Sequence, residues 1–466
     1  MKAVCIIPGD VPDPTILRDG EWFYLTCSSE RYYPALLIYR SKNLYDWEPV
    51  CRALDENLGD IWAPELIKRN GRYYIYFPAY KNYESRNYVI WSDRIDGGWS
   101  KPEYIGVNYM IDPGFVTDGK DCWMYFNESR CGKLEPDGLH IAEKPVPMKE
   151  PWQYPKEWVT QQMCDESPKL FYKNGYYYMI TAQGGTAGPP TSHMAVCFRA
   201  KTPLGEWEVS PYNPVLHTYS AEEDWWSIGH ATYFEDSSGD GYFVFHGYKK
   251  DNHNMGRQIL LCRAKWTEDG FPIAEEIEKI PLRLPDFCDD FDGDTLDINW
   301  SFYGECDTER FKVDNGLELN GYGTTLSDSR PLTVNGRFVD YEVCADIEDI
   351  KPNTSAGLSL YYNEEVSVGI YAREQKVYVS CLGQEELFGE YTGNKVYFKI
   401  TKINQTAKLF YSENGVDYHQ YDKDFDVGAF HHNNYKGFLS LRPSLVCFGE
   451  GSAVFKNFSY CSRDKD

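Results

Sequence analysis

Short alternations of apolar and polar positions run the length of the chain, and no stretch keeps the 3.6-residue period of a long amphipathic helix. In the first half, a turn with glycine precedes an aromatic-rich run five times. Asp19-Gly20 leads to Trp22-Phe-Tyr-Leu, Asn70-Gly71 to Tyr73-Tyr-Ile-Tyr, and Asp118-Gly119 to Trp123-Met-Tyr. Asn174-Gly175 leads to Tyr176-Tyr-Tyr-Met-Ile, and Gly239-Asp240-Gly241 to Tyr242-Phe-Val-Phe. Asn-Gly and Asp-Gly between apolar runs are strong hairpin signals. Glycines 20, 71, 119, 175 and 241 recur at intervals of 51, 48, 56 and 66 residues, the spacing of four-stranded propeller blades. Several units close on a similar strand followed by a tryptophan: Leu37-Ile-Tyr-Arg before Trp47, Val89-Ile-Trp before Trp99, and Val196-Cys-Phe-Arg before Trp207. Five units predict a five-bladed β-propeller.

The repeats stop near residue 280, and Pro281-Leu-Arg-Leu-Pro285 reads as a linker. Beyond it, Val396, Phe398 and Ile400 share one face of a strand, Asn414-Gly415 makes a tight turn, and further strands run through Gly357-Leu-Ser-Leu and Gly437-Phe-Leu-Ser-Leu. The expected fold class is all-β: a propeller over 1–284 and a β-sandwich of jelly-roll type over 285–466.

The chain has 466 residues and a formal net charge of -24, which argues against nucleic acid and anionic membranes as partners. A neutral carbohydrate suits that charge. Aromatics make up 16% of the residues, and the 38 tyrosines outnumber the 24 phenylalanines, as suits strands and sugar-binding surfaces alike. Pro8, Asp10 and Pro12 interrupt any apolar leader, and the 14 cysteines form no C-x-x-C pair. A cytoplasmic protein with reduced thiols is expected, and self-association as a homo-oligomer is left open.

Three acidic motifs stand just upstream of aromatic hairpins: Asp13-Pro14-Thr15, Asp112-Pro113-Gly114-Phe115, and Asp165-Glu166-Ser167-Pro168. The innermost strand of each blade lines a propeller's channel, so the motifs bring carboxylates together from three blades. Like charges held close are costly, and glycoside hydrolysis supplies a reason: one carboxylate activates water and a protonated carboxyl serves the leaving oxygen. Asp165 and Glu166 compete for the donor role, because neighbours on a strand face opposite ways. The longer Glu166 is preferred.

These motifs, with Trp62-Ala-Pro-Glu65 and Ser227-Ile-Gly-His230-Ala231, resemble the ordered motifs of glycoside hydrolase family 43 over residues 5–280. The C-terminal half resembles the concanavalin-like sandwich of that family's β-xylosidases. The resemblance implies an inverting, exo-acting enzyme that releases xylose or arabinose from short plant-derived oligosaccharides. It implies Asp13 as general base, Asp112 as the acid that tunes pKa and orients the sugar, and Glu166 as general acid. Trp62, Phe115, Trp226 and Arg257 are the implied substrate contacts, with Trp225 beside them. No cofactor is required, but the resemblance leaves room for a structural calcium in the channel near His230. The glycine-rich run from Gly184 to His193 matches a stretch of the xylosidases or is a flexible loop. Glu65 reads as structural. Ser167 stands where the family more often has glycine, which points to altered local packing. A loop of the second domain is expected to wall the mouth of the site. The alternatives are a non-catalytic, lectin-like sugar-binding propeller and, among enzymes, an α-L-arabinofuranosidase or arabinanase rather than a β-xylosidase.

Overall fold

The computed structural model describes residues 3–278, 282 and 284–463, so Pro281 and Arg283 of the expected linker lie outside the described residues. Two compact units form. The first comprises Met1–Ile7, Val11–Lys250 and Arg257–Leu282; the second comprises Pro8–Asp10, Asp251–Gly256 and Arg283–Asp466. Among the described residues there is no α-helix, only two 3-10 turns, and no helix long and apolar enough to cross a membrane.

The first unit is the five-bladed propeller. Blade one runs Thr15–Asp19, Trp22–Thr26, Ala35–Ser41, Glu48–Leu54 from the inside outward. The blades that follow begin with the inner strands Glu65–Arg69, Gly114–Thr117, Glu166–Lys173 and Trp225–Glu235. Their hairpins turn where the glycine signals lie. Asn70 and Gly71 take φ of 51° and 81°, and Asn174 and Gly175 take 51° and 82°, as a type I′ turn demands. In the fifth unit the turn glycine is Gly239, at φ 85°, and Gly241 opens the next strand. Layers of apolar side chains fill the spaces between blades, such as Tyr178, Ile180, Phe243 and Leu260 between blades four and five.

The ring closes through a strand that the repeats do not announce. Val4–Ile7 pairs antiparallel with Arg257–Trp266, the third strand of blade five, with Val4 opposite Leu261. The chain's start and its last blade thereby hold each other, and the propeller has no open edge there.

The inner strands share a register. Thr15 pairs with Thr26, Glu65 with Tyr76, Gly114 with Tyr125, Lys169 with Ile180, and Thr232 with Val244. Each is preceded two positions earlier by a residue at the rim of the channel: Asp13, Ala63, Asp112, Ser167 and His230. Four of these five adopt left-handed φ, between 53° and 60°. Such a conformation costs a non-glycine residue about 1–3 kcal/mol and persists where the surroundings enforce it. The inner strands crowd one another: a methyl on Gly114 would lie 1.6 Å from the Pro168 carbonyl oxygen, backbone that cannot step aside. Gly114→Ala is expected to abolish soluble, cooperatively melting protein; a wild-type melting curve would refute that contact.

The second unit is a two-sheet sandwich. One sheet is ordered Phe311–Val313, Leu317–Asn320, Ser452–Ser462, Tyr341–Glu348, Lys395–Ile403, Thr406–Ser412. Its strands alternate buried and half-buried positions, and Val396, Phe398 and Ile400 are fully buried on one face. The facing sheet centres on Thr354–Asn363, buried at every position, between Val366–Arg373 and Arg442–Gly449.

Candidate active site

Asp13 is the most heavily bonded carboxylate of the channel. Its Oδ2 accepts from Ser28 Oγ at 2.5 Å, and its Oδ1 lies 3.1 Å from Arg257 Nη1 and 3.2 Å from His230 Nδ1. His246 Nδ1 sits 3.1 Å from both Asp13 Oδ1 and the Asp13 backbone nitrogen, so the ring's tautomer sets which of the two bonds is made. Burial alone would raise this carboxyl. Arg257, His230 and His246 outweigh it and hold Asp13 well below its ordinary value.

The other two acids are pushed the opposite way. Burial and then the charge of Asp13 raise Asp112 to about 7, although Lys169, the Ser167 N–H and Arg257 pull against them. Burial, then Asp112 and Asp13, raise Glu166 well above its ordinary value. Three carboxyls from blades one, three and four therefore share one field, which favours the ionised form of Asp13 and the protonated form of Glu166.

Asp165, the competitor of Glu166, is already committed. Lys149 Nζ lies 3.2 and 3.3 Å from its oxygens and Ser129 Oγ donates at 3.0 Å, all of them buried. Glu166 thus carries the acid's environment. The turn after it is held by Asp112, whose Oδ2 accepts from the Ser167 N–H at 3.0 Å. Ser167 has φ 55° and a buried hydroxyl without a hydrogen-bond partner, which accounts physically for the advantage of glycine at this position.

Glu65 Oε2 pairs with Lys169 Nζ at 2.6 Å, both buried, and Lys169 also donates to the Pro64 carbonyl at 2.9 Å. Thr15 Oγ1 and the Phe115 N–H, each donating to Glu65 at 3.3 Å, complete this buried network.

The expected substrate contacts divide. Trp62 is half-buried, stacked on Tyr80 at 4.7 Å and 17°, with its indole N–H donating to Glu30 Oε2 at 3.0 Å. Arg257 is buried and bridges Asp13 and Glu30. Trp226 is half-buried at the start of the fifth inner strand, donating to the Ala221 carbonyl at 2.9 Å, while Trp225 packs on the core between blades four and five. Phe115 is half-buried, with its ring packed on the core between blades two and three.

The run from Gly184 to His193 is fastened rather than loose. Ser192 Oγ donates to the Gly184 carbonyl at 2.6 Å, and Gln161 bonds to both Gly184 and Ala187. Its last residue, His193, is fully buried and stacks on His246 with centroids 5.2 Å apart. Both ring nitrogens of His193, and Nε2 of His230 and His246, lack a hydrogen-bond partner. Burial keeps all three imidazoles below their ordinary pKa, and hence neutral.

Asp13, His230 and His246 place ligand atoms within 4.8 Å of one another. Calcium prefers six to eight oxygens. Here the carboxylate is already engaged and the open atoms are nitrogens, so the residues fit a calcium only if water fills its shell. Ordered water alone also satisfies such atoms.

Glu30, Ser28, His246, Lys149 and Lys169 are not visible as site residues in the sequence. His246 left a faint signal, a polar ring inside the apolar run Tyr242-Phe-Val-Phe.

A family model described as glycosyl hydrolases family 43 matches residues 4–272, and one described as beta xylosidase C-terminal Concanavalin A-like domain matches residues 288–461. The chain is 31% identical over 332 residues to the non-reducing end alpha-L-arabinofuranosidase BoGH43B of Bacteroides ovatus, a match spanning 64% of this chain and 60% of the relative. It is 27% identical over 481 residues to a xylan 1,3-beta-xylosidase of a Vibrio species, covering 89% of each. Its fold matches the crystal structure of the GH43 protein BlXynB from Bacillus licheniformis with a TM-score of 0.86 at 24% identity, over 98% of this chain and 99% of the other. The first family model covers well over half of the sequence and contains every acid of the site, and the chain belongs to glycosyl hydrolases family 43.

Proposed function

We propose that this glycosidase is an inverting, exo-acting enzyme that removes a terminal pentose, xylose or arabinofuranose, from short oligosaccharides. Asp13 is the general base, Glu166 the general acid, and Asp112 the group that keeps Glu166 protonated and fastens its turn. The observation that carries the reading is the meeting of three carboxyls from three blades, in which Arg257, His230 and His246 lie on Asp13 and the Ser167 N–H ties the turn after Glu166 to Asp112, so that Asp13 is held low and Glu166 high. A base must be ionised and an acid protonated at the same pH, and only opposed environments give two carboxyls those states together. The relatives named as xylosidase and arabinofuranosidase support the sugar class.

The test is a comparison of 4-nitrophenyl β-D-xyloside with 4-nitrophenyl α-L-arabinofuranoside, the released anomer being followed by proton NMR. Turnover of one or both, with inverted configuration in the first product, is expected. Retained configuration overturns the assignment of Asp13. Sugar binding without turnover favours a carbohydrate-binding propeller.

A channel calcium belongs to this proposal. His230 would hold it beside Asp13, with water supplying most of its shell, and when bound it would favour the ionised form of Asp13. The reading also takes the enzyme as cytoplasmic, for which its fourteen free cysteines are suited; cell fractionation decides it.

A further inference from the structure

Glu30 follows blade one's second strand, and its backbone is bridged to blade two: its N–H donates to the Ile61 carbonyl and its carbonyl accepts from the Ile61 N–H, both at 2.9 Å. The residue is buried, with φ 49°. Its two carboxylate oxygens serve different partners. Oε1 accepts from Arg257 Nη2 at 2.9 Å, and Oε2 accepts from Trp62 Nε1 at 3.0 Å. The other arm of the guanidinium reaches Asp13 Oδ1 at 3.1 Å.

One side chain therefore ties an aromatic of blade two, a guanidinium of blade five and, through it, a carboxylate of blade one. A counter-ion for Arg257 alone would need no contact with an indole, and Asp13 already supplies one negative charge. Spending the second oxygen on a donor-only N–H fixes the plane of Trp62, whose ring is also stacked on Tyr80. Arg257 is fixed likewise, because its fork is read by two carboxylates at once.

We propose that Glu30 is a positioning residue for substrate binding, holding Trp62 and Arg257 at one spacing so that a pentose meets a preformed pocket. This rests on the glycosidase reading above. A wrongly placed contact costs up to about 10²-fold even when the chemistry is untouched.

The experiment is a double-mutant cycle on the full chain. Glu30→Gln keeps the side chain's size but has one accepting oxygen; the charged Arg257 is the stronger donor and takes it, which turns an N–H toward the Trp62 N–H and breaks that bond. Trp62→Phe keeps the stacked ring but removes the N–H. Each single variant should raise KM for the aryl pentoside by about 10-fold or more while kcat falls less. In the double variant the two effects should not add, since both break the same bond. A merely structural glutamate lowers the melting temperature and leaves KM alone. Wild-type KM in Glu30→Gln, or additive effects in the cycle, overturns the proposal. Tryptophan emission separates this from failure of the functional reading. The difference spectrum between wild type and Trp62→Phe isolates the Trp62 indole, and the same difference taken in the Glu30→Gln background should be shifted. An unshifted spectrum overturns the network even if no pentoside is turned over.

Discussion

Replacing Glu166 by glutamine should cut kcat on an oligosaccharide by about 10²–10⁴-fold, the usual worth of a general acid. The amide keeps the side chain's shape but has no acidic proton to give the departing oxygen. The loss should depend on the leaving group. A nitrophenolate leaves without protonation, so the variant should keep much more of its rate on the aryl glycoside than on an alkyl or sugar glycoside. The basic limb of the pH profile should also flatten. In the wild type, activity falls as pH rises through the raised pKa of Glu166, and glutamine removes that titration. Folding should survive, since burial and the charges of Asp112 and Asp13 all oppose ionisation at this position and the amide carries no charge. Unchanged turnover of the oligosaccharide would move the acid elsewhere in the channel.

Asp112→Asn should move the basic limb of kcat/KM to lower pH. After burial, the charge of Asp112 is the largest cause holding Glu166 up, and the active form needs Glu166 protonated. Removing that charge lets Glu166 ionise earlier, so the rate begins to fall at a lower pH. Asparagine still offers an oxygen to the Ser167 N–H, which keeps the turn and confines the change to charge. The two carboxyls titrate as a pair, so the wild-type limb reports the pair rather than either residue. Stability should move the opposite way to activity. A carboxyl whose folded pKa lies above its unfolded one destabilises the fold as it ionises. The variant should therefore melt later than wild type, by a margin that opens from pH 3.8 upward and levels off above about pH 7. A limb that stays in place, or moves to higher pH, would mean that Asp112 does not act on Glu166.

The hairpins at 70–71 and 174–175 were readable because a type I′ turn needs positive φ at two successive residues and Asn-Gly accepts that at low cost; in the other three the glycine alone, Gly20, Gly119 or Gly239, takes positive φ. Alternation at Val396, Phe398 and Ile400 was readable for a similar reason, since a strand buries every second residue. The three acid motifs could be aligned because each precedes a proline or its neighbour at the start of an inner strand. All of these are local signals, carried by residues one to four positions apart.

What depended on partners far along the chain was not readable. Val4–Ile7 closes the ring against residues some 250 positions later, and no short motif encodes that pairing. Asp165 and Glu166 are adjacent and chemically alike; Lys149 and Ser129, brought in from other segments, engage Asp165 and not Glu166. Phe115 stands in a short motif, but only the fold shows its ring packed on the core between blades two and three. Glu30 had no motif at all, because its meaning lies in Trp62 and Arg257, 32 and 227 residues away. The sequence by itself determined the strands, the turns and the repeat, because backbone preference and alternation are set residue by residue. The tertiary structure decided which carboxyl is held low, which is held high and which is paired to a lysine, because burial and Coulomb interactions depend on distances that exist only once the blades have closed.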